Sequence, residues 1–280
     1  MRTIHVNQIA EEVEKLCIHS NYYLNDDVIN EFENSLKVEK SQTGIDVLKK
    51  LIENAKLAAE RKMAICQDTG MAVIFLDIGQ DVHIVGGNLE NSINEGVRRG
   101  YEKGFLRKSV VKDPVERINT GDNTPAIIYY NIVDGDKIKI SMAPKGFGSE
   151  NMSSLKMLKP SDGIEGIKKF IIETVDKAGP NPCPPVVVGV GIGGTMEKAA
   201  ILAKKALLRP VNRSSELEHI RCVEKDILNK INSLGIGPSG LGGIVTALAV
   251  NIEVFSTHIA GLPVAVNMSC HATRHAEATI

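Results

Sequence analysis

The sequence predicts a mixed α/β fold of the α+β kind, with a helical N-terminal region over residues 1–60 packed on mixed β-sheets. Three observations predict it. Apolar residues recur at helical spacing through the first 60 residues. Short apolar runs of strand length begin at residue 71. From there strands and helices mix without the strict alternation of a parallel βαβ array. No internal repeat or low-complexity linker interrupts the chain, so a single domain over residues 1–280 is expected.

In order along the chain, Ile9, Val13, Leu16 and Cys17 share one helical face, and Val47, Leu48, Leu51, Ile52 and Ala55 share another. MAVIFLDI, residues 71–78, is short and apolar enough to be a buried strand. Leu89, Ile93 and Val97 return to helical spacing. AIIYYNIV and KIKISMA flank the turn sequence VDGDK, which predicts an antiparallel hairpin. Ile164, Ile167, Phe170, Ile171 and Val175 mark a helix closed by Gly179-Pro180. A strand (VVVGV), a glycine cluster and a helix from Met196 to Leu208 follow, then a helix over 215–233. The last 40 residues turn Gly-rich and then strand-like through GIVTALAV, IEVFSTHI and PVAVNMS.

Composition narrows the function. The formal net charge is −1, so no basic field is available for nucleic acid or an anionic membrane surface. Aromatic residues make up 4% with no Trp, which also disfavours base stacking. No apolar run approaches bilayer-spanning length, and the N-terminus lacks the apolar core of a signal peptide. A cytoplasmic protein is expected. Its five cysteines, at 17, 66, 183, 222 and 270, are odd in number and scattered, which argues against a disulfide framework.

The cysteines fall into two groups. Cys17 and Cys222 lie on helical segments and read as buried, inert thiols. Cys66 opens the polar turn CQDTG, Cys183 sits in the proline-stiffened AGPNPCPP, and Cys270 follows the strand PVAVNMS. All three stand at strand–loop junctions, but their wide intervals exclude a local CxxC knuckle. Only the fold could bring them together, and three unrelated thiols remain the plainer reading of spacing. If they converge, three thiolates are one short of a structural zinc or electron-transfer [4Fe–4S] site. One iron would then be open to substrate oxygens as a Lewis acid.

Other polar motifs are weighed in the same way. GVGIGG, residues 189–194, matches the dinucleotide pattern G-x-G-x-x-G, yet RPVNRSSELEH beyond the next helix offers no strand ending in an acidic residue. A tight strand-to-helix turn or an anion site at the helix N-terminus are the alternatives. In PKGFGSEN, Gly146 and Gly148 permit close backbone approach, so their N–H groups can meet an anion beside Lys145. Arg107 and Arg117 could each grip a carboxylate by two parallel hydrogen bonds, or simply be solvated. His258 lies in apolar sequence, as a core histidine or as a proton donor at a site. His271, Arg274 and His275 read as an exposed polar stretch.

Together CQDTG, NTGDNTP, KGFGSEN, PNPCPP, GVGIGGT, GLGG and the ending THIAGLPVAVNMSCHATR resemble the α subunit of the iron–sulfur class I fumarases and L-tartrate dehydratases. The resemblance runs from about residue 40 to the C-terminus, with the motifs in family order. It implies that Cys66, Cys183 and Cys270 ligate a [4Fe–4S] cluster with one iron not ligated by protein. It further implies that Gln67 and Asp68 face the substrate and that Arg107 and the backbone around Gly146 and Gly148, beside Lys145, bind carboxylates. His258, twelve residues before the last cysteine, lines the site. Asp68 and His258 are the expected catalytic groups.

The implied chemistry is that of a hydro-lyase: reversible hydration of fumarate to malate, a step of the tricarboxylic acid cycle, with L-tartrate dehydration as the alternative. A base removes a C–H proton and positioned donors stabilise the aci-carboxylate. Single-chain members continue into a second domain that supplies Thr, Lys and Arg groups, whereas this chain stops at Ile280. The resemblance therefore implies a smaller β subunit that completes the site, in an α2β2 assembly. A non-catalytic iron–sulfur sensor or scaffold would be marked by a fourth cysteine ligand or by loss of Gln67, Asp68, Arg107 or His258. All four are present. A nucleotide-binding oxidoreductase built on GVGIGG predicts NAD binding and no iron.

Overall fold

In the computed structural model, which describes residues 1–280, the chain runs β1 (Arg2–His5), α1 (Val6–Tyr22), α2 (Asp26–Val38), α3 (Gln42–Arg61), β2 (Met71–Gly79), β3 (Val82–Val85) and α4 (Leu89–Lys103). It continues through β4 (Ile127–Val133), β5 (Ile138–Lys145), α5 (Phe147–Glu150), β6 (Ser154–Leu158), α6 (Gly163–Ala178), β7 (Val186–Gly193) and α7 (Met196–Ala206). The last elements are α8 (Glu218–Asn232), β8 (Ala247–Phe255), β9 (Leu262–Ser269) and β10 (Ala276–Thr279). This is the mixed α/β architecture expected. The residues group into two units: Met1–Leu24, Ala55–Phe147 and Arg274–Ile280 form the first, and Asn25–Asn54 with Gly148–Thr273 form the second.

In the first unit, α1 begins at a reciprocal cap. The His5 Nδ1 accepts from the Asn7 N–H (3.2 Å) and the Gln8 Oε1 accepts from the His5 N–H (3.1 Å). Its stripe of Ile9, Val13, Leu16 and Cys17 is buried against α4 and one face of a four-stranded sheet of order β10-β5-β2-β4. Two expectations are corrected here. The first 60 residues are not wholly helical, because β1 pairs parallel with β3; four residues are too short to show a period.

The hairpin is also absent as a pair. Strands β4 and β5 flank β2 on opposite edges, parallel and antiparallel to it. The reason lies in β2, whose Val73, Ile74, Phe75 and Leu76 are all buried. An apolar strand of that kind takes the sheet centre, where both edges are hydrogen-bonded. The turn sequence after β4 serves another purpose: the Gly135 carbonyl accepts from the Asp81 N–H (3.0 Å) in the β2–β3 turn.

The second unit is built on a sheet of order β6-β9-β7-β8, in which β7 and β8 are parallel and the other pairs antiparallel. Strand β7 is buried throughout and alternates between two helical layers. Val186, Val188, Val190 and Ile192 join the core with Ile167, Ile171 and Val175 of α6 and Ile220, Ile227 and Ile231 of α8. Gly189 and Gly191 face α7, where an added Cβ would stand 2.3 Å from the Ala203 carbonyl oxygen and 2.0 Å from that of Ala199. Gly189 and Gly191 thus let α7 lie directly on β7, while Gly193 (φ +93°) and Gly194 (φ +69°) make the tight strand-to-helix turn.

Glu39, between α2 and α3, is a polar keystone of this unit. It is buried, and its carboxylate accepts from the N–H groups of Lys40, Ser41, Ile244 and Val245. No helix is long and apolar enough to cross a membrane.

Candidate active site

The CQDTG turn lies between α3 and β2 in the first unit, and its main chain is fixed from inside. The Arg274 guanidinium donates to the Asp68 carbonyl (2.8 Å), and the Tyr101 hydroxyl to those of Thr69 (2.7 Å) and Gly70 (3.0 Å). The Asn123 amide also donates to the Gly70 carbonyl (3.1 Å). The Thr69 hydroxyl donates to the Arg107 carbonyl (3.0 Å), which holds the backbone at Arg107 beside the turn while its side chain stays exposed. Gly70 has φ +74°, and a Cβ there would stand 2.7 Å from the Lys145 backbone nitrogen, so only glycine fits.

The side chains of the turn are accessible. Gln67 is exposed, with Cys66 and Asp68 half-buried. The Cys66 thiol lies 3.4 Å from the Gln67 Oε1. Asp68 accepts from the Gly70 N–H at Oδ1 (3.0 Å) and from the Phe147 N–H at Oδ2 (2.9 Å), which ties the start of KGFGSEN to CQDTG. Each oxygen keeps a second lone pair for another donor. Lys145, at the end of β5, is buried and its ammonium donates to the Gly146 carbonyl (3.1 Å).

In the second unit, Gly148 meets open space where a Cβ would be, which leaves its backbone approachable. Glu150, two residues on, pairs with Lys204 of α7 and accepts from Asn267 of β9 (2.8 Å). Cys183 has φ +56° in the proline loop and is exposed, and Cys270 is half-buried. The two loops touch: the His271 N–H donates to the Cys183 carbonyl (3.1 Å), and the His271 Nδ1 lies 3.1 Å from the same oxygen. The Ser239 N–H donates to the Pro184 carbonyl (2.8 Å), so the GLGG region braces the same loop. His258 follows β8 and is exposed, its Nδ1 accepting from the Ala260 N–H (3.2 Å). In the neutral ring the proton then sits on Nε2.

Some expectations change. His258 is not a core histidine, because β8 ends at Phe255 and the apolar letters after it belong to an exposed turn. Cys222 is exposed on α8, whereas Cys17 is fully buried and burial pushes its thiol far above its ordinary value. His271 and Arg274 are not merely exposed polar residues. Asn123 lies in NTGDNTP and Arg274 in the ending CHATR, yet their capping roles, like that of Tyr101, are not visible in the motifs, since they depend on carbonyls distant in sequence.

Cys66 belongs to the first unit, and Cys183 and Cys270 to the second. No three His, Cys, Asp or Glu side chains stand together as a ready metal site. The donor chemistry nevertheless fits an iron–sulfur cluster. The three thiols are in no disulfide, none is buried, and each stands on irregular backbone outside a helix or strand. Cys17 shows the contrast, as a sequestered thiol that cannot serve.

Comparison with known proteins places the chain in a family. The family model described as fumarate hydratase (Fumerase) matches residues 10–279. A protein named putative L(+)-tartrate dehydratase subunit alpha, from Methanocaldococcus jannaschii, is 47% identical over 277 residues, covering 96% of each chain. The L(+)-tartrate dehydratase subunit alpha of Escherichia coli is 32% identical over 273 residues, covering 96% of this chain and 89% of its own length. The chain therefore belongs to the fumarate hydratase (Fumerase) family of hydro-lyases, as an α-subunit-type member.

Proposed function

We propose that this protein is the α subunit of an iron–sulfur hydro-lyase that adds water to, or removes it from, a four-carbon dicarboxylate. The observation that carries the reading is the CQDTG turn. Its carbonyls are held inward while the Cys66 thiol and the Gln67 amide lie side by side at the accessible edge. Cys66, Cys183 and Cys270 would hold a [4Fe–4S] cluster. Such a cluster, with one iron lacking a protein ligand, supplies a Lewis acid for substrate oxygens.

The remaining chemistry falls to side chains. Arg107, exposed and anchored by its own carbonyl, offers a two-pronged grip on one carboxylate. The backbone of Gly146 and Gly148 offers N–H donors for a carboxylate, and Lys145 supports that loop from beneath. Gln67 hydrogen-bonds substrate oxygen. Asp68 holds or accepts the proton exchanged at carbon, and the Nε2 of the exposed His258 donates one.

Reversible hydration of fumarate is one assignment, supported by the family description, and dehydration of L(+)-tartrate is the other, supported by the relatives' names. The two differ by a hydroxyl that a few polar contacts can read strongly. The relatives' designation as subunit alpha supports a β partner that completes the site.

The test is anaerobic reconstitution of the chain, with iron and sulfide counted and electron paramagnetic resonance recorded before and after fumarate, malate or L(+)-tartrate. Uptake of about four irons per chain, lost in Cys66→Ser, Cys183→Ser and Cys270→Ser, supports the reading. A spectrum shifted by only one of the dicarboxylate pairs selects the substrate. A wild type that takes up no iron refutes it.

A further inference from the structure

Three consecutive carbonyls, those of Asp68, Thr69 and Gly70, are each capped by a buried side-chain donor, and the donors come from three separate parts of the chain. Arg274, 5% exposed, lies four residues beyond Cys270. Besides the Asp68 carbonyl it donates to the Asn21 Oδ1 (3.2 Å). Asn21 is itself fully buried, and its amide is tied to the Cys17 carbonyl on α1 (2.9 Å). Tyr101 of α4 is fully buried, and burial raises its hydroxyl far above the ordinary value, so it stays a donor. Asn123 is fully buried at φ +65°, and its Oδ1 accepts from the Ser109 N–H (2.7 Å).

Apolar packing alone would leave these carbonyls unpaired, and the buried guanidinium that meets one of them is itself tolerated only where hydrogen bonds replace water. What the polar caps add is direction. With the carbonyls of 68, 69 and 70 held, the peptide planes of the turn are restrained, which limits how far the backbone carrying the Cys66–Gln67–Asp68 edge can shift. The Asp68 carboxylate is then set by the Gly70 and Phe147 N–H groups, and Arg107 is linked to the same turn through Thr69.

We infer that Arg274, acting with Tyr101 and Asn123, is a positioning residue that presets the Cys66–Gln67–Asp68 edge before cluster or substrate arrives. The geometry stands on its own, and only the link to substrate rests on the proposed function. The segment CHATR accordingly has two roles: Cys270 is an expected cluster ligand, and Arg274 clamps the turn that carries Cys66.

The test is residue-resolved amide hydrogen exchange on the full chain without cluster, comparing wild type, Arg274→Met and Arg274→Lys. In Arg274→Met, exchange of the Gly70 and Phe147 amides should quicken by about tenfold or more, the size of one lost charge-assisted hydrogen bond. Ile74 and Leu76 amides in β2 should change by less than about twofold, since a local opening leaves the sheet closed. Arg274→Lys should restore part of the protection, because an ammonium reaches one acceptor but lacks the guanidinium fork.

Should Arg274→Met not fold, Tyr101→Phe deletes only a hydroxyl and should give the same pattern at Gly70. Uniform quickening across the first unit, or unchanged Gly70 and Phe147 amides, would overturn the inference. In the reconstituted chain, Arg274→Lys should still load iron yet need more dicarboxylate to shift the resonance spectrum. If wild type loads no iron, the proposed function fails while the exchange result still decides the positioning role.

Discussion

Replacing Glu39 by Gln tests whether one buried carboxylate organises the second unit. Oε1 accepts from the N–H groups of Lys40 (2.8 Å), Ser41 (2.9 Å) and Ile244 (3.1 Å), and Oε2 from those of Ile244 (3.0 Å) and Val245 (2.8 Å). Glutamine keeps one oxygen, so at best the Val245 N–H faces an amide NH2 and loses its acceptor. A buried donor left unmade costs about 1–3 kcal/mol, and the surviving bonds lose their charge assistance, so a total of about 2–4 kcal/mol is expected. For a 280-residue chain that lowers the melting temperature by about 3–7 °C, read by circular dichroism.

The pH dependence carries a sign. Burial alone pushes the Glu39 carboxyl up, but the N–H groups of Ser41, Val245, Ile244 and Lys40 outweigh it and hold it below its ordinary value. A depressed folded-state value means the stabilisation is complete above the unfolded value of about 4.3 and fades as pH falls below it. The gap between wild type and Glu39→Gln should therefore be full at pH 7 and should shrink below about pH 4.5. A gap under about 0.5 kcal/mol at pH 7, or one unchanged at pH 4, would refute the charge-assisted account.

Three further outcomes follow from the same geometry. Gly191→Ala places a Cβ 2.0 Å from the Ala199 carbonyl, so α7 must move; a loss of about 2–4 kcal/mol in urea unfolding is expected, and a neutral result would contradict the packing role. In the folded chain without cluster, iodoacetamide at pH 8 should label Cys183 and Cys222 before Cys66, and spare Cys17 until unfolding. Peptide mass spectrometry reads the order. Arg107→Ala, at an exposed side chain, should leave the melting temperature within about 1 °C. It should weaken the dicarboxylate-induced resonance shift by about 10- to 100-fold in concentration, and equal affinity would remove Arg107 from carboxylate binding.

The amphipathic stripes of α1 and α6, the buried strands β2 and β7 and the breaks at Gly179-Pro180 were legible from sequence alone, because helix period, apolar run length and turn residues are local properties. The motif set carrying Cys66, Gln67, Asp68, Arg107 and Cys270 was legible too, as a family pattern. Strand pairing was not: AIIYYNIV and KIKISMA look like a hairpin until β2 takes the place between them, a choice made by burial across the whole sheet. Nor could the letters show that GVGIGG is spent on α7, that His258 is exposed, or that Arg274 is buried under CQDTG. Tyr101, Asn123 and Arg274 reach carbonyls 32, 53 and 206 residues away, and the sequence around each contains no trace of its acceptor. Local periodicity determined the elements, and the family resemblance pointed to the chemistry-bearing motifs. Tertiary structure alone decided which buried donor meets which carbonyl, because a polar group taken out of water must find its partner wherever the fold brings one.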